Sequence, residues 1–175
     1  MNKFAKGLIA ALVVGSCSLA AHAVDTTITI NGKVTAAACT INNSGIYTVT
    51  MPVVTAATLN PANSYGDWKT FDVILSNCPG GTSSVTATFD GTADAADATK
   101  YANTTGTGFA TNVSVQLQNR SGTTVADKGK NSTMTVDVDG SKNATFDLQA
   151  RPYSTPGNAS VGDINTVVLM NFAYN

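Results

Sequence analysis

The feature that most constrains this chain is an apolar side chain at every second residue, in run after run. Phe71, Val73 and Leu75 alternate with Asp72, Ile74 and Ser76, and Val85, Ala87 and Phe89 alternate with Thr86, Thr88 and Asp90. The pattern returns in Val113, Val115 and Leu117, in Met134, Val136 and Val138, and in Ala144, Phe146, Leu148 and Ala150. Because a strand sends successive side chains to opposite faces, each run fits a strand with one buried face. Turn signals divide the runs: Cys78-Pro79-Gly80-Gly81, Arg120-Ser121-Gly122, Asp139-Gly140 and Thr155-Pro156-Gly157-Asn158. Many short strands at this spacing predict an all-β sandwich or barrel. Helices are a poor alternative, since every acidic residue is Asp and only 12% of residues are charged, against about 25% in ordinary soluble domains. Long surface helices draw on Glu, Lys, Arg and Leu, which are scarce beside Thr, Val, Asn, Gly and Ala. The Ala- and Asp-rich stretch from Gly91 to Tyr101 is expected to be a surface excursion. At 175 residues the chain has room for one domain on the usual prior of about 100 to 200 residues.

The first 23 residues read as a secretory signal peptide. Lys3 and Lys6 precede an apolar run from Gly7 to Val14, and small residues then lead to Ala21-His22-Ala23, an A-x-A cleavage site that makes Val24 the mature N-terminus. The run is well short of the roughly 20 residues of a membrane-spanning helix. Val14-Gly15-Ser16-Cys17 offers a rival, lipoprotein-like cleavage before Cys17.

Removing the leader takes two of the ten basic residues, the only His and one of the three cysteines. Cys39 and Cys78 remain. An even cysteine count in an exported chain reads as a disulfide, which for a loop of this size stabilises by roughly 4 kcal/mol in the chain-entropy model. A metal site is not expected, because neither His nor Glu is left to complete one. Ser-His-Asp catalysis is excluded for the same reason. No cofactor and no small-molecule substrate is expected, and no basic cluster with interleaved aromatics points to nucleic acid. Asp90, Asp94 and Asp97 do not match the ligand spacing of a calcium loop and are read as solvated turn residues. Tyr65 and Trp68 are candidates for a sugar-stacking platform. The alternative, favoured by how single tryptophans sit in sandwiches, is that Trp68 opens a strand and packs on the core.

The two ends of the mature chain are more informative than its middle. Thr26, Ile28, Ile30, Gly32 and Val34 share one strand face near the N-terminus. Near the C-terminus Ile164, Val168, Met170, Phe172 and Tyr174 share a face, and Val167 and Leu169 make the reverse face apolar as well. A strand of that kind is expected inside a sheet, yet it falls at the end of the sequence, so its cover is expected from elsewhere.

These ends carry a resemblance. Thr27-Ile28-Thr29-Ile30-Asn31-Gly32-Lys33-Val34 leading to Cys39, Leu75-Ser76-Asn77-Cys78-Pro79, Gly162 fourteenth from the end and the penultimate aromatic Tyr174 together resemble the pilin subunits of the chaperone-usher pathway. Within it, the chain is most similar to minor tip subunits of type 1-like fimbriae. The resemblance implies an incomplete immunoglobulin-like β-sandwich lacking its last strand. It implies residues 1–23 as signal peptide, 24–35 as an N-terminal donor-strand extension and 36–175 as the pilin domain. Thr26, Ile28, Ile30, Gly32 and Val34 would form the donor strand, with Gly32 where the receiving sheet approaches too closely for a side chain. Read alone, Asn31-Gly32 would instead suggest a hairpin turn. Gly162, Ile164, Val168, Met170, Phe172 and Tyr174 would form the strand facing the chaperone and the acceptor groove. The implied partners are a periplasmic pilus chaperone, an outer-membrane usher and neighbouring pilins, and the implied destination is the cell-surface fimbrium, reached through the periplasm. The expected function is a non-enzymatic structural subunit at the tip or adaptor position, with a major rod pilin or a small single-domain adhesin as alternatives.

Overall fold

The computed structural model of the chain describes residues 31–32, 37–122 and 124–175. The chain divides into two compact units, Met1–Lys33 and Val34–Asn175. Of the first, only Asn31 and Gly32 are described, so the expected signal peptide and most of the donor segment lie outside the described residues.

Among its described residues the second unit holds nine strands: β1 (Thr40–Ile41), β2 (Ser64–Tyr65), β3 (Lys69–Ser76), β4 (Ser84–Gly91), β5 (Tyr101–Ala102), β6 (Ser114–Asn119), β7 (Thr133–Asp137), β8 (Ala144–Ser154) and β9 (Val168–Tyr174). One sheet runs β1-β3-β8-β6-β5, with β2 beside β8 in line with β3; the other runs β7-β4-β9. All strand pairs are antiparallel. The alternating runs become these strands because pairing satisfies the backbone while one face of each buries its apolar residues. Val73 and Leu75 from β3, Val85, Ala87 and Phe89 from β4, and Phe146 and Leu148 from β8 meet between the sheets. Phe146 crosses to Phe172 of β9, ring centroids 5.5 Å apart.

The expected disulfide joins Cys39 to Cys78, tying the approach to β1 to the residues just after β3. After β1 the chain turns over Asn42–Gly45, where Asn43 and Ser44 take left-handed conformations (φ 54° and 53°). Asn tolerates that region better than most residues.

Two expectations need correction. The stretch from Gly91 to Tyr101 is not wholly a surface excursion, for it ends in the buried Lys100 and Tyr101. Tyr101 has no solvent exposure, its hydroxyl donates to the Lys128 carbonyl (2.9 Å), and burial with the nearby Asp90 charge pushes its pKa up to about 12. Asp94 and Asp97 accept backbone N–H groups of their own turns, while Lys100 reaches Asp97 and, at 3.6 Å, Asp127. Burial works to raise the Asp97 pKa, but hydrogen bonds from Lys100 and Thr99 outweigh it and hold the carboxyl at about 2. The second correction concerns Trp68. It precedes β3 and belongs to neither hydrophobic core among the described residues, because its ring lies 4.1 Å from the Arg151 guanidinium instead.

Candidate acceptor groove

An edge strand leaves a row of backbone N–H and C=O groups without partners, and β9 is such a strand. It pairs with β4 along its whole length, from Val168↔Gly91 to Val85↔Tyr174, and no strand pairs with its other edge among the described residues. Its apolar side chains point inward, yet Val168, Met170 and Phe172 are only half-buried. They border an open groove of about 400 Å³.

The opposite border comes from the chain after β1. Tyr47, Val49 and Met51 are half-buried and line the groove, while Ile46, Thr48 and Thr50 face out. This segment has the alternation of a strand without strand pairing. The Tyr47 hydroxyl anchors it instead, accepting from the Ile74 N–H (3.2 Å) and lying 3.3 Å from the Ile74 carbonyl, to which it donates. A side chain thus supplies, at one residue of β3, what a neighbouring strand would supply along its length. Phe71, Val73, Leu117 and Leu148 lie along the groove between these borders, so the sandwich core itself is open there.

Of the residues predicted for this strand, Ile164, Val168, Met170 and Phe172 line the groove. Tyr174 does not. It is half-buried against the core opposite Val85, and burial raises its pKa. Gly162 stands apart too, lying before β9 with its backbone against Phe109 and Ala110. A Cβ there would run into the Ala110 nitrogen, which explains glycine at this position. The neighbouring parallel bridge between Phe109 and Asp163 locks this approach. Of the predicted donor residues, Thr26, Ile28, Ile30 and Val34 lie outside the described residues; Gly32 is exposed.

Sequence reading missed the Tyr47 border. The signal was there: Tyr47, Val49 and Met51 alternate with Ile46, Thr48 and Thr50, a run rich in β-formers. The arrangement provides an apolar slot with an unpaired strand edge, which is what an added extended segment requires.

Comparison with known proteins agrees with the fold. The model of the fimbrial protein family matches residues 28–175. Protein FimG of Escherichia coli K12 is 37% identical over 169 residues, covering 97% of this chain and 96% of that protein. The crystal structure of a Burkholderia pseudomallei antigen and type I fimbria protein is 27% identical, with a TM-score of 0.55 over 80% of this chain and 91% of that one. The P pilus rod subunit PapA shares the fold at 18% identity, with a TM-score of 0.60 over 79% of this chain and all of PapA. These relatives and neighbours are structural pilins rather than enzymes, and such subunits are exported to surface fimbriae and polymerise with one another. A sandwich whose β9 edge stands unpaired beside an open apolar groove among the described residues, a Cys39–Cys78 bridge and a family match over residues 28–175 lead to one conclusion: this chain belongs to the fimbrial protein family, as a subunit of a chaperone-usher fimbria.

Proposed function

We propose that the chain is a minor tip or adaptor pilin that accepts a strand in the groove between β9 and Tyr47–Met51 and gives its own residues 24–35 to the next subunit. The observation that carries this reading is the unpaired β9 edge beside an open apolar groove. Before assembly a periplasmic chaperone fills the groove, with Ile164, Val168, Met170 and Phe172 facing the lent strand; an outer-membrane usher then directs the exchange. Tyr174 closes the end of the same strand, and Gly162 fixes its approach. In the donor strand, Thr26, Ile28, Ile30 and Val34 share the inserted face, with Gly32 at the tight spot. Burying Ile28, Ile30 and Val34 contributes roughly 5 to 9 kcal/mol, whereas ordering about ten backbone residues costs on the order of 10 kcal/mol or more. The balance tips because the groove's own apolar surface leaves water at the same time and the β9 edge gains hydrogen bonds.

The adaptor position rests on the resemblance to minor tip subunits. Counting labelled copies of this chain on purified fibres tests it. One or a few copies near the tip are expected; label along the whole shaft would make it a rod subunit.

A further inference from the structure

Outside the groove, the outer face of the β8 sheet carries a side-chain cluster that strand exchange does not use. Tyr65 pairs with Tyr153 across β2 and β8, whereas Lys69 at the start of β3 pairs with Ala150. Three residues, Gly66, Asp67 and Trp68, therefore oppose only two, Arg151 and Pro152. This is a β-bulge, and it changes the alternation so that Tyr65 and Trp68, three apart in sequence, reach the same face. Pro152, which has no N–H to give a ladder, lies opposite the extra residue, and its carbonyl accepts from Gly66 (3.0 Å).

Arg151 lies against both rings. Its guanidinium carbon is 3.6 Å from the Tyr65 ring centroid and 4.1 Å from that of Trp68; Tyr153 lies beside Tyr65 with centroids 6.1 Å apart. The Arg151 Nε donates to Gln116 Oε1 at 2.7 Å, which fixes the plane of the group. No carboxylate pairs with Arg151 among the described residues, whereas Arg120 and Lys100 each have two and Lys130 has one. Tyr65 is 52% exposed. The result is a held cation, flanked by aromatic rings, in a chain of net negative charge.

We propose that this bulge-built cluster binds a saccharide unit bearing a carboxylate. Arg151 would take the carboxylate through its Nη groups, and Tyr65 and Trp68 would pack against the C–H surface of the sugar ring. A sugar fits better than a peptide: the cluster has the reach of one or two sugar rings and its polar groups are side chains. The groove with a free strand edge, which a peptide would need, lies on the sheet's inner face. This inference stands apart from the strand-exchange reading, because none of the four side chains lines the groove.

Trp68 is the chain's single tryptophan, so its fluorescence reports on the site directly. The full chain, completed by a tryptophan-free donor strand fused to its C-terminus so that it survives without a chaperone, is titrated with a galacturonate trisaccharide, the matching galactose trisaccharide and an acidic peptide of equal charge. Saturable change with the acidic sugar, at least about tenfold tighter than with the neutral one, is expected. Arg151→Gln should remove that preference and Tyr65→Ala should weaken binding, while Arg120→Gln leaves both unchanged. Circular dichroism of each variant checks folding, and Arg151→Lys, which keeps the charge but not the planar fork, should retain only part of the preference. No saturable response, or equal affinity for acidic and neutral sugars, would overturn the proposal. Binding of the peptide but not the sugar would overturn it in favour of a protein-docking surface.

Discussion

Strands β8 and β9 have almost the same sequence grammar, and the structure treats them differently. In β8, Ala144, Phe146, Leu148 and Ala150 alternate with Thr145, Asp147 and Gln149, and in β9 Val168, Met170, Phe172 and Tyr174 recur at the same period between Leu169, Asn171 and Ala173. Phe146 has no solvent exposure, whereas Phe172, in contact with it, is only half-buried. The difference is in the neighbours. β8 has β6 on one side and β3 with β2 on the other; β9 has β4 alone among the described residues. An apolar stripe thus states which face wants to be dry, and the number of paired edges decides whether it becomes so.

Making the two strands alike should produce the largest effect. A donor strand fused to the C-terminus and long enough to fill the groove should raise the thermal midpoint by on the order of 10 °C or more, since each kcal/mol is worth about 2 to 4 °C at this size. The unfused chain should be lost to proteolysis or aggregation in the periplasm unless its chaperone is co-expressed. A freely soluble, cooperatively melting chain with no gain from the fusion would break the contrast.

Truncation at matched positions is the next comparison. In the fused protein Phe146→Ala should cost about 3 to 5 kcal/mol, and Phe172→Ala should approach that figure once a strand covers it. In the chain bound only through β4, Phe172→Ala should cost clearly less, because a half-exposed ring has less transfer energy to lose. Denaturant midpoints of the two variants, with and without the donor strand, give the four numbers required.

A smaller loss is expected from Gly162→Ala, which tests how β9 is brought into place. Its methyl group would meet backbone at Ala110, not a side chain that can turn aside, so displacement of the Phe109–Asp163 bridge should cost roughly 1 to 3 kcal/mol. Amide exchange should quicken at Ala110 and Asp163 while β8 stays protected. Uniform quickening in both strands would show that the two edges are not independent.

The smallest effect should come from acid, and it belongs to the β8 side. Lys100, buried and held by Asp97, lies 4.4 Å from the ring centroid of Tyr153. Because the Asp97 pKa falls from 3.8 to about 2 on folding, its contribution is complete above about pH 4 and is lost as pH drops through about 2. Asp97→Asn should therefore flatten the fall in unfolding midpoint between those limits. An unchanged acid slope would remove Asp97 from the account.

Much of this was legible in the residues. Phe71–Leu75, Val85–Phe89, Val115–Leu117 and Ala144–Ala150 are strands where the alternation places them, and Cys39 and Cys78 are joined. Tyr47–Met51 escaped notice although it alternates in the same way and the turn residues Asn42–Gly45 stand just before it. Tyr101 was misjudged because its Ala- and Asp-rich approach looks solvated while its own ring fills the core beside Gly91.

What the sequence by itself determined is local: the period of two, the turns between runs and the exported, disulfide-bearing class. The period and the turns depend on residues within a few positions of one another, and the class on a leader and a cysteine count that need no fold to be read. Only the tertiary structure decided which edge stays unpaired, that Tyr47 stands in for a strand at Ile74, and that a bulge opposite Pro152 brings Tyr65 and Trp68 to one face around Arg151. Those outcomes depend on register between segments tens of residues apart, and one extra residue in a register moves a side chain from one face of a sheet to the other.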